Sequence, residues 1–389
     1  MGVFRLFLAL SVLLGHTRGH GFFGLSFVYP EIVVQSFFLI SGFYMALVLN
    51  EKYNQPGQYT VFLKQRFLRL YPTYFILLVA VLLIDLTVSG ITGHPWGSLK
   101  VWHDNLPLLS PAGVAFLALE NLIIFGQDVV MLLGLDPATG AFHLFGLNNA
   151  VKPTSGSFFL LIGTSWSLAV EFSFYVLAPF LVRRPVRAQI VIFVLCFLVR
   201  AATFLTYPYD AYHAIYFLFP PNLFFFMAGS LSYVLYKNYQ AQLKTIASSK
   251  PWIIGIFALL ALDYCRFPYT RQLYLIWMPL VFVMVPLLFA VTCRNRLDRL
   301  IGELSYPCYL IHAHVLMFTV PLFSASRYQW LLGPVSIVLT LILSYLFYRL
   351  IETKTERFRE SLYQKSRQAS LEPPPAPIGP LEPSAPTLS

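Results

Sequence analysis

YPTYFILLVAVLLIDLTVSG, residues 71–90, is twenty residues long and carries one charge, Asp85. A helix of about 20 apolar residues, rising 1.5 Å per residue, crosses the roughly 30 Å hydrocarbon core of a bilayer. The same reading recurs along the chain. Apolar runs near 3–19, 28–49, 160–182, 188–206, 212–236, 251–265, 273–292, 304–323 and 330–351 join 71–90 to give about ten expected transmembrane helices. Composition agrees. Of 389 residues 57% are hydrophobic and only 11% charged, against about 25% charged in a soluble domain, and the mean hydropathy is +0.67. So small a supply of charge cannot cover a surface in water, which excludes a soluble enzyme, a coiled coil and a disordered chain. The expected fold class is an all-α polytopic membrane protein, a bundle of about ten transmembrane helices.

Charge placement gives the orientation. With the N-terminus inside, 20 of the 27 Lys and Arg fall in inner segments, among them Arg5, Lys64, Arg66, Arg69, Arg183 and Arg299. Only Arg18, Lys100, Lys152, Arg200, Arg266, Arg271 and Arg327 fall outside. Cytoplasmic loops carry the Lys/Arg excess, so both termini are expected in the cytoplasm. The net charge of +10 is then a matter of membrane orientation, and no nucleic-acid partner is implied. The four cysteines, Cys196, Cys265, Cys293 and Cys308, form no CxxC, so neither a disulfide framework nor a zinc site is expected.

Met1 to Thr17 has the charge and apolar run of a signal peptide, but no A-x-A-like cleavage site follows. An uncleaved first helix is expected. Residues 1–365 read as one membrane domain and 366–389 as a disordered cytoplasmic tail, since the last 19 residues hold seven prolines. The long connection 91–159 reads as extracytoplasmic, and its semi-apolar stretch 112–135 either re-enters the membrane or lies on it. Gly19-His20-Gly21-Phe22-Phe23-Gly24 matches GxGxxG letter for letter, yet no strand precedes it, so a dinucleotide site is not expected.

Ionisable side chains at mid-membrane depth are costly and usually functional. Arg5 and His16 are eleven residues apart, close to three helical turns and about 16 Å along the axis, so they share one stripe. Arg5 is expected at the cytoplasmic lip and His16 deep on the same face. A donor entering from the cytoplasm needs that order: an anchor for an anionic head group, then a base near its reactive end. His16 also reads as an interfacial histidine closing a short helix among Gly15, Thr17 and Gly19. Glu171 sits mid-span in Ser165-Trp166-Ser167-Leu168-Ala169-Val170-Glu171. It is either a packing partner for a Ser or Tyr, or a partner for a catalytic histidine. His312 stands half-way along the ninth span, with His314 on another face. Asp85, near the outer end of the third helix, is the weakest candidate and reads as solvated. Arg66 and Arg69 are neighbours on one helical face; they suit phosphates, or lipid headgroups at any inner loop.

In order, Arg5-x10-His16, Ser36-Phe37-Phe38-Leu39-Ile40-Ser41-Gly42-Phe43, Arg66-x-x-Arg69-Leu70-Tyr71-Pro72-x-Tyr74, Trp166-Ser167-Leu168-x-x-Glu171-x-x-Phe174-Tyr175 and Ser305-Tyr306-x-x-Tyr309-Leu310-x-His312 resemble the motifs of the membrane-bound acyltransferase family 3. Its members are polytopic O-acyltransferases of bacterial surface polysaccharides. The resemblance implies a ten-helix bundle in the bacterial inner membrane that moves an acyl group, usually acetyl, from cytoplasmic acyl-CoA to a sugar hydroxyl. The acceptor is a polysaccharide or its lipid-linked precursor, presented at or beyond the outer face. Acyl-CoA is a donor substrate, and no permanently bound cofactor and no metal are implied. By position, Arg5 and His16 match the family's essential pair, Arg66 and Arg69 its basic motif, and Glu171 its carboxylate. Ser41, Tyr309 and His312 are further candidates. Two departures stand out: Gln35 replaces an acidic residue common in the second motif, and Glu352-Thr353-Lys354 replaces a Glu-x-Pro. The chain also runs without the SGNH-type hydrolase domain of some relatives.

In the expected mechanism Arg5, Arg66 and Arg69 hold the CoA phosphates. His16 acts as general base or transient acyl carrier, and Glu171 orients His16 or stabilises its imidazolium. The competing class is a transporter or flippase of a lipid-linked sugar, with the same buried ionisable residues relaying protons. It predicts movement of substrate without consumption of acyl-CoA.

Overall fold

The computed structural model describes residues 1–17, 22, 28–55, 57–136, 139–144, 154–206, 216–249, 255, 271–323 and 326–369. The span expected at 251–265 (Gly255 apart), the Gly19–Gly24 stretch (Phe22 apart) and the tail from residue 371 lie outside them. Helices occupy the other expected spans: α1 Gly2–Gly15, α2 Pro30–Glu51 and α3 Tyr59–Thr92. After the long connection, which holds α4 Ser98–Asn105, α5 Pro111–Ile123 and α6 Gln127–Val130, come α7 Trp166–Leu181, α8 Val186–Thr206 and α9 Phe219–Ser249. The last are α10 Arg271–Thr292, α11 Arg296–Glu303, α12 Ser305–Phe323, α13 Leu332–Phe347 and α14 Thr353–Ala369. A π-helical turn, Tyr348–Glu352, joins the last two.

Among the described residues, six helical segments are long and apolar enough to cross a membrane: Pro30–Glu51, Tyr59–Thr92, Val186–Thr203, Leu275–Thr292, Arg296–Phe323 and Gln329–Gln368. Their outward faces are apolar. On α8, for instance, Val191, Val194, Leu195 and Leu198 are exposed, an arrangement that suits hydrocarbon and not water. The protein is an all-α, multi-pass membrane protein. Its only strands among the described residues are β1 Leu133–Leu135, β2 Phe142–Leu144 and β3 Thr154–Ser155, an antiparallel sheet in the order β2-β1-β3. That sheet belongs to a small second core, built on Leu117, Val130, Leu135 and Phe159, within the long connection.

Close helix crossings fix the main bundle. A Cβ on Gly42 of α2 would run into the carbonyl of Phe226, and one on Gly229 of α9 into that of Leu39. Two glycines facing each other thus let α2 and α9 touch backbone to backbone, the usual way apolar helices gain packing inside a bilayer. The start of α1 is held similarly. Asp298 of α11 accepts the amides of Gly2 at 2.8 Å and Val3 at 3.0 Å, two of the four donors that a helix start leaves without partners. Gly2 lies directly against Gly302.

Several boundaries differ from expectation. Helix α1 ends at Gly15 and not near 19: Thr17 turns back to donate to the Leu14 carbonyl at 2.6 Å, and Gly15 packs so close to Pro30 that a side chain there would strike its ring. Helix α3 begins twelve residues before Tyr71, so Arg66 and Arg69 lie inside it, with Pro72 accommodated in its interior. Helix α14 runs to Ala369, past the expected boundary at 366. It packs back on the basic end of α3, where Gln65 donates to the Arg359 carbonyl at 2.6 Å.

The largest difference is in the fourth span. It was expected as a helix from 160, yet α7 starts at Trp166 and is preceded by 3₁₀ turns. The side chain of Asn121 takes over the missing hydrogen bonds: its Nδ2 donates to the Phe159 carbonyl at 3.0 Å and its Oδ1 accepts the Leu161 amide at 2.8 Å. His314 holds the Leu161 carbonyl at 3.0 Å. Asn121 ends α5 against the middle of α3, where the hydroxyls of Tyr71 and Tyr74 donate to the carbonyls of Leu122 and Asn121. Tyr74 lies about 27 Å from the Thr92 end of α3, at 1.5 Å per residue.

Asp85, read as solvated, is buried at 1% exposure. It accepts the Ser98 amide at 2.9 Å and so caps the start of α4, while Gly97 leaves room for the carboxylate. Losing a cap costs about 0.5–2 kcal/mol, and Asn caps nearly as well as Asp. Asp85→Ala is expected to lower the melting temperature of the purified protein and Asp85→Asn to change it much less. Equal melting temperatures for the wild type and Asp85→Ala would refute the capping role.

Candidate functional site

The residues at 37, 41, 44 and 48 of α2 recur every three or four positions, as do 167, 171 and 175 of α7. Each set therefore makes one stripe. The stripes face each other across a cavity of about 450 Å³, which the basic end of α3, α11 and the first turn of α12 close on the remaining sides. That volume is within the usual range for a small-molecule site, about 300–1,000 Å³. At one end stand Arg5, Arg66, Arg69 and Arg299; at the other, Phe37, Ser167 and Tyr309.

The charges in it are unevenly satisfied. Glu303 holds Arg69 at 3.3 Å, and Asp298 is engaged with the start of α1. Arg5, Arg66 and Arg299 make no ion pair among the described residues, and the buried Nε of Arg66 has no hydrogen-bond partner. Three guanidinium groups are thus left over on one end of the cavity. Of the three only Arg66 is buried, Arg299 being exposed; an unpaired buried charge is costly, and an anion reaching Arg66 removes that cost. Of the two expected forks, Arg69 is ion-paired with Glu303 and Arg66 is not.

Glu171 lies in the cavity wall. Ser41 Oγ donates to its Oε1 at 2.7 Å, and the Tyr175 hydroxyl donates to the same oxygen. Of its two readings from sequence, the hydrogen bond to a Ser and a Tyr is the one observed. Beyond it, Ser167 Oγ donates to the Tyr309 hydroxyl at 2.9 Å, closing the cavity's far end.

His16 and His312 are not among the cavity-lining groups. They lie past Tyr309, in a ladder of rings: Tyr309 to His312 at 5.9 Å between centroids, then His312 to His16 at 5.3 Å. His312 is fully buried. His16 is the C-cap of α1 and is exposed. It therefore shares Arg5's stripe but does not line its cavity. A contact between His16 and Glu171, which the sequence leaves open, is not made: His16 Nδ1 meets the Val12 carbonyl at 2.8 Å, while Glu171 is held by Ser41 and Tyr175. The structure thus gathers Arg5, Arg66, Arg69, Ser41, Glu171 and Tyr309 around one cavity and places His16 with His312 behind its end.

Sequence reasoning missed Arg299 and Glu303. The stretch Arg296–Glu303 was read only as a charged inner loop, although Arg299 and Glu303, four apart, share a helical face. Ser167 stood within a quoted motif but had no partner until the fold brought Tyr309 to it.

The model of acyltransferase family 3, described as an acyltransferase domain, matches residues 1–349. The chain belongs to acyltransferase family 3 and is a multi-pass membrane acyltransferase. No curated protein and no solved structure matches it.

Because Ser41 precedes Gly42, the glycine contact with α9 also sets where Ser41 meets Glu171. Gly42→Val overpacks that crossing, at about 1–3 kcal/mol. It is expected to lower both the melting temperature and the rate of acyl transfer. A variant of unchanged stability and rate would show that the crossing does not position the cavity wall.

Proposed function

We propose that this acyltransferase takes an acyl group, most simply acetyl, from acyl-CoA on the cytoplasmic side. It passes the group to a hydroxyl of a sugar in a bacterial surface polysaccharide or its lipid-linked precursor, working in the inner membrane with both termini cytoplasmic. The observation that carries the reading is the order of groups along the bundle: unpaired arginines, then the cavity, then Tyr309, His312 and an exposed His16. The excess of basic residues on one side, and the rule that such residues face the cytoplasm, put the arginine end inside. Donor and acceptor then approach from opposite sides.

CoA carries its charge on phosphates at one end and its thioester at the other. Arg5, Arg66 and Arg299 match the phosphates with charge-assisted hydrogen bonds, leaving the pantetheine arm to run along the cavity toward Ser167 and Tyr309. Arg69, neutralised by Glu303, shapes the entrance more than it attracts the anion. Glu171 orients Ser41 and Tyr175 in the wall along that path.

A carbonyl oxygen only accepts, so Nδ1 of His16, bonded to the Val12 carbonyl, carries the proton. In the neutral ring Nε2 then holds the lone pair of a base. A sugar hydroxyl is a weak nucleophile at neutral pH, and a positioned base contributes about 10²–10⁴ in rate. As His16 Nε2 takes the hydroxyl proton, the oxygen attacks the thioester carbonyl. The C–O bond forms, the C–S bond breaks, and sulfur leaves with the electron pair. The long connection, whose α5 reaches the middle of α3, is the part of the chain placed to choose the acceptor.

The test uses membranes from cells expressing wild type or His16→Ala at matched levels, with acetyl-CoA labelled in the acetyl group. Label is expected in the glycan fraction for wild type and absent for the variant. Equal labelling would remove His16 as the base. In the same assay Arg66→Ala is expected to raise KM for acetyl-CoA on the order of tenfold or more, the worth of one charge-assisted hydrogen bond. An unchanged KM would move the phosphates elsewhere.

A further inference from the structure

Glu120, in the last turn of α5, is a buried carboxylate that nothing holds. It is 9% exposed, its Oε2 has no hydrogen-bond partner, and no ion pair reaches it among the described residues. Asp128 of α6, also buried, adds a second negative charge and accepts the Phe219 amide at 3.2 Å. Around the pair Leu122, Ile123, Phe125 and Val129 are exposed, so the nearby surface offers apolar groups where a charge needs dipoles. The turn between the two acids is strained as well. Ile124 stands at φ 63°, a left-handed conformation that a β-branched residue rarely adopts. Gly126 follows at φ 103°, with the Glu120 oxygens 3.0 Å from where its Cβ would be.

A buried carboxylate without a partner takes up a proton or a cation. Ca²⁺ needs about six to eight oxygens, and the carbonyls of Glu120, Ile123, Ile124 and Gly126 already accept amides of the same turn. The proton is left. Burial first, and Asp128 second, push the Glu120 carboxyl up to about 7. The other groups packed on the turn are neutral among the described residues: α3 brings the hydroxyls of Tyr71 and Tyr74, Ser165 comes through Gln127, and α9 brings its amide to Asp128.

What this turn supports lies at the site. The Glu120 carbonyl accepts from Gln127 Nε2 at 2.7 Å, Gln127 also bonds Tyr74 and Ser165, and the neighbouring Asn121 bonds Phe159 and Leu161. These bonds let α7 start at Trp166 and bring Ser167 to Tyr309 at the cavity's end. We propose that Glu120 is a proton-operated latch on that end. Protonated, it stays folded into the turn. Once its proton has gone to water of the outer medium, the carboxylate swings to solvent, the turn opens, and Asn121 and Gln127 loosen. Relief of the strain at Ile124 favours that opening. Acyl transfer is thereby switched off as the outer pH rises. This inference rests on the transfer and orientation proposed above.

The experiment takes wild type, Glu120→Gln and Glu120→Leu from pH 5 to 9. It reads the melting temperature of the purified proteins, with EDTA or with added Ca²⁺, and the transfer of label from acetyl-CoA into the glycan fraction of permeabilised membranes. A carboxyl raised from its ordinary 4.5 to about 7 stabilises the fold below 4.5, and that contribution is lost as pH climbs through about 7. Glu120→Gln, which cannot ionise, is therefore expected to gain on the wild-type melting temperature from pH 5 to about 7 and to keep a constant lead above it. The wild-type rate is expected to fall about tenfold per pH unit beyond about 7, as a single ionisation requires. Both variants are expected to lose that falling limb and to keep the rising limb of His16, which acts as a base only when neutral. A falling limb that persists in both variants, or melting temperatures that run parallel to wild type at every pH, overturns the latch. Stabilisation of wild type by Ca²⁺ at pH 8, absent in both variants, puts a cation in place of the proton and overturns it too. No label in wild type at any pH overturns the acetyl-CoA reading; the melting temperatures then decide the proton on Glu120 by themselves.

Discussion

Inside a bilayer a backbone amide or carbonyl has no water to turn to, so a chain that leaves helical geometry must find every partner within the protein. Asn121 is where this protein meets that constraint. Its side chain bonds the Phe159 carbonyl and the Leu161 amide, and its own carbonyl is held by Tyr74. Gln127 extends the network, donating to the Glu120 carbonyl at 2.7 Å and to the Tyr74 hydroxyl at 3.1 Å while accepting from Ser165. Without these amides the turns before α7 could not be irregular, and α7 could not begin at Trp166. Ser167 would then not face Tyr309. The end of the cavity depends on two side-chain amides from a different segment.

The cavity shows a second constraint, that like charges gathered in one place must be partly compensated. Seven charged side chains line it: Arg5, Arg66, Arg69 and Arg299 against Glu171, Asp298 and Glu303. Each carboxylate has been given a local task, holding Arg69, the start of α1, or the Ser41 and Tyr175 hydroxyls. The surplus is positive and concentrated at one end. The field across the cavity therefore has a direction, positive at the arginine end.

Much of this was readable in the sequence because the bilayer makes the pattern simple. Runs of apolar residues with almost no charge admit one local structure, and α2, α8, α10 and α12 lie where their runs predicted. The spacing of Arg5 and His16 predicted a shared stripe, and Arg66 with Arg69 a shared face. What was hidden depends on contacts between distant segments. No local rule says that Asn121 will interrupt the helix at 160, since its partners are 38 and 40 residues away. Nor does periodicity choose a mid-span carboxylate's partner: Glu171 reads as bonded to a Ser or Tyr or as a partner for a histidine, and it is α2 that presents Ser41 to it.

Helix α2 is used on both sides. One face carries Phe37, Ser41, Tyr44 and Val48 to the cavity, and another is pressed through Gly42 onto the backbone of α9. A helix seated on backbone has no slack with which to widen the space in front of it. The distance from the arginines to the rings of Phe37 and Tyr309 is thus held fixed. More room in the cavity therefore calls for a smaller side chain at its end, not a more flexible wall.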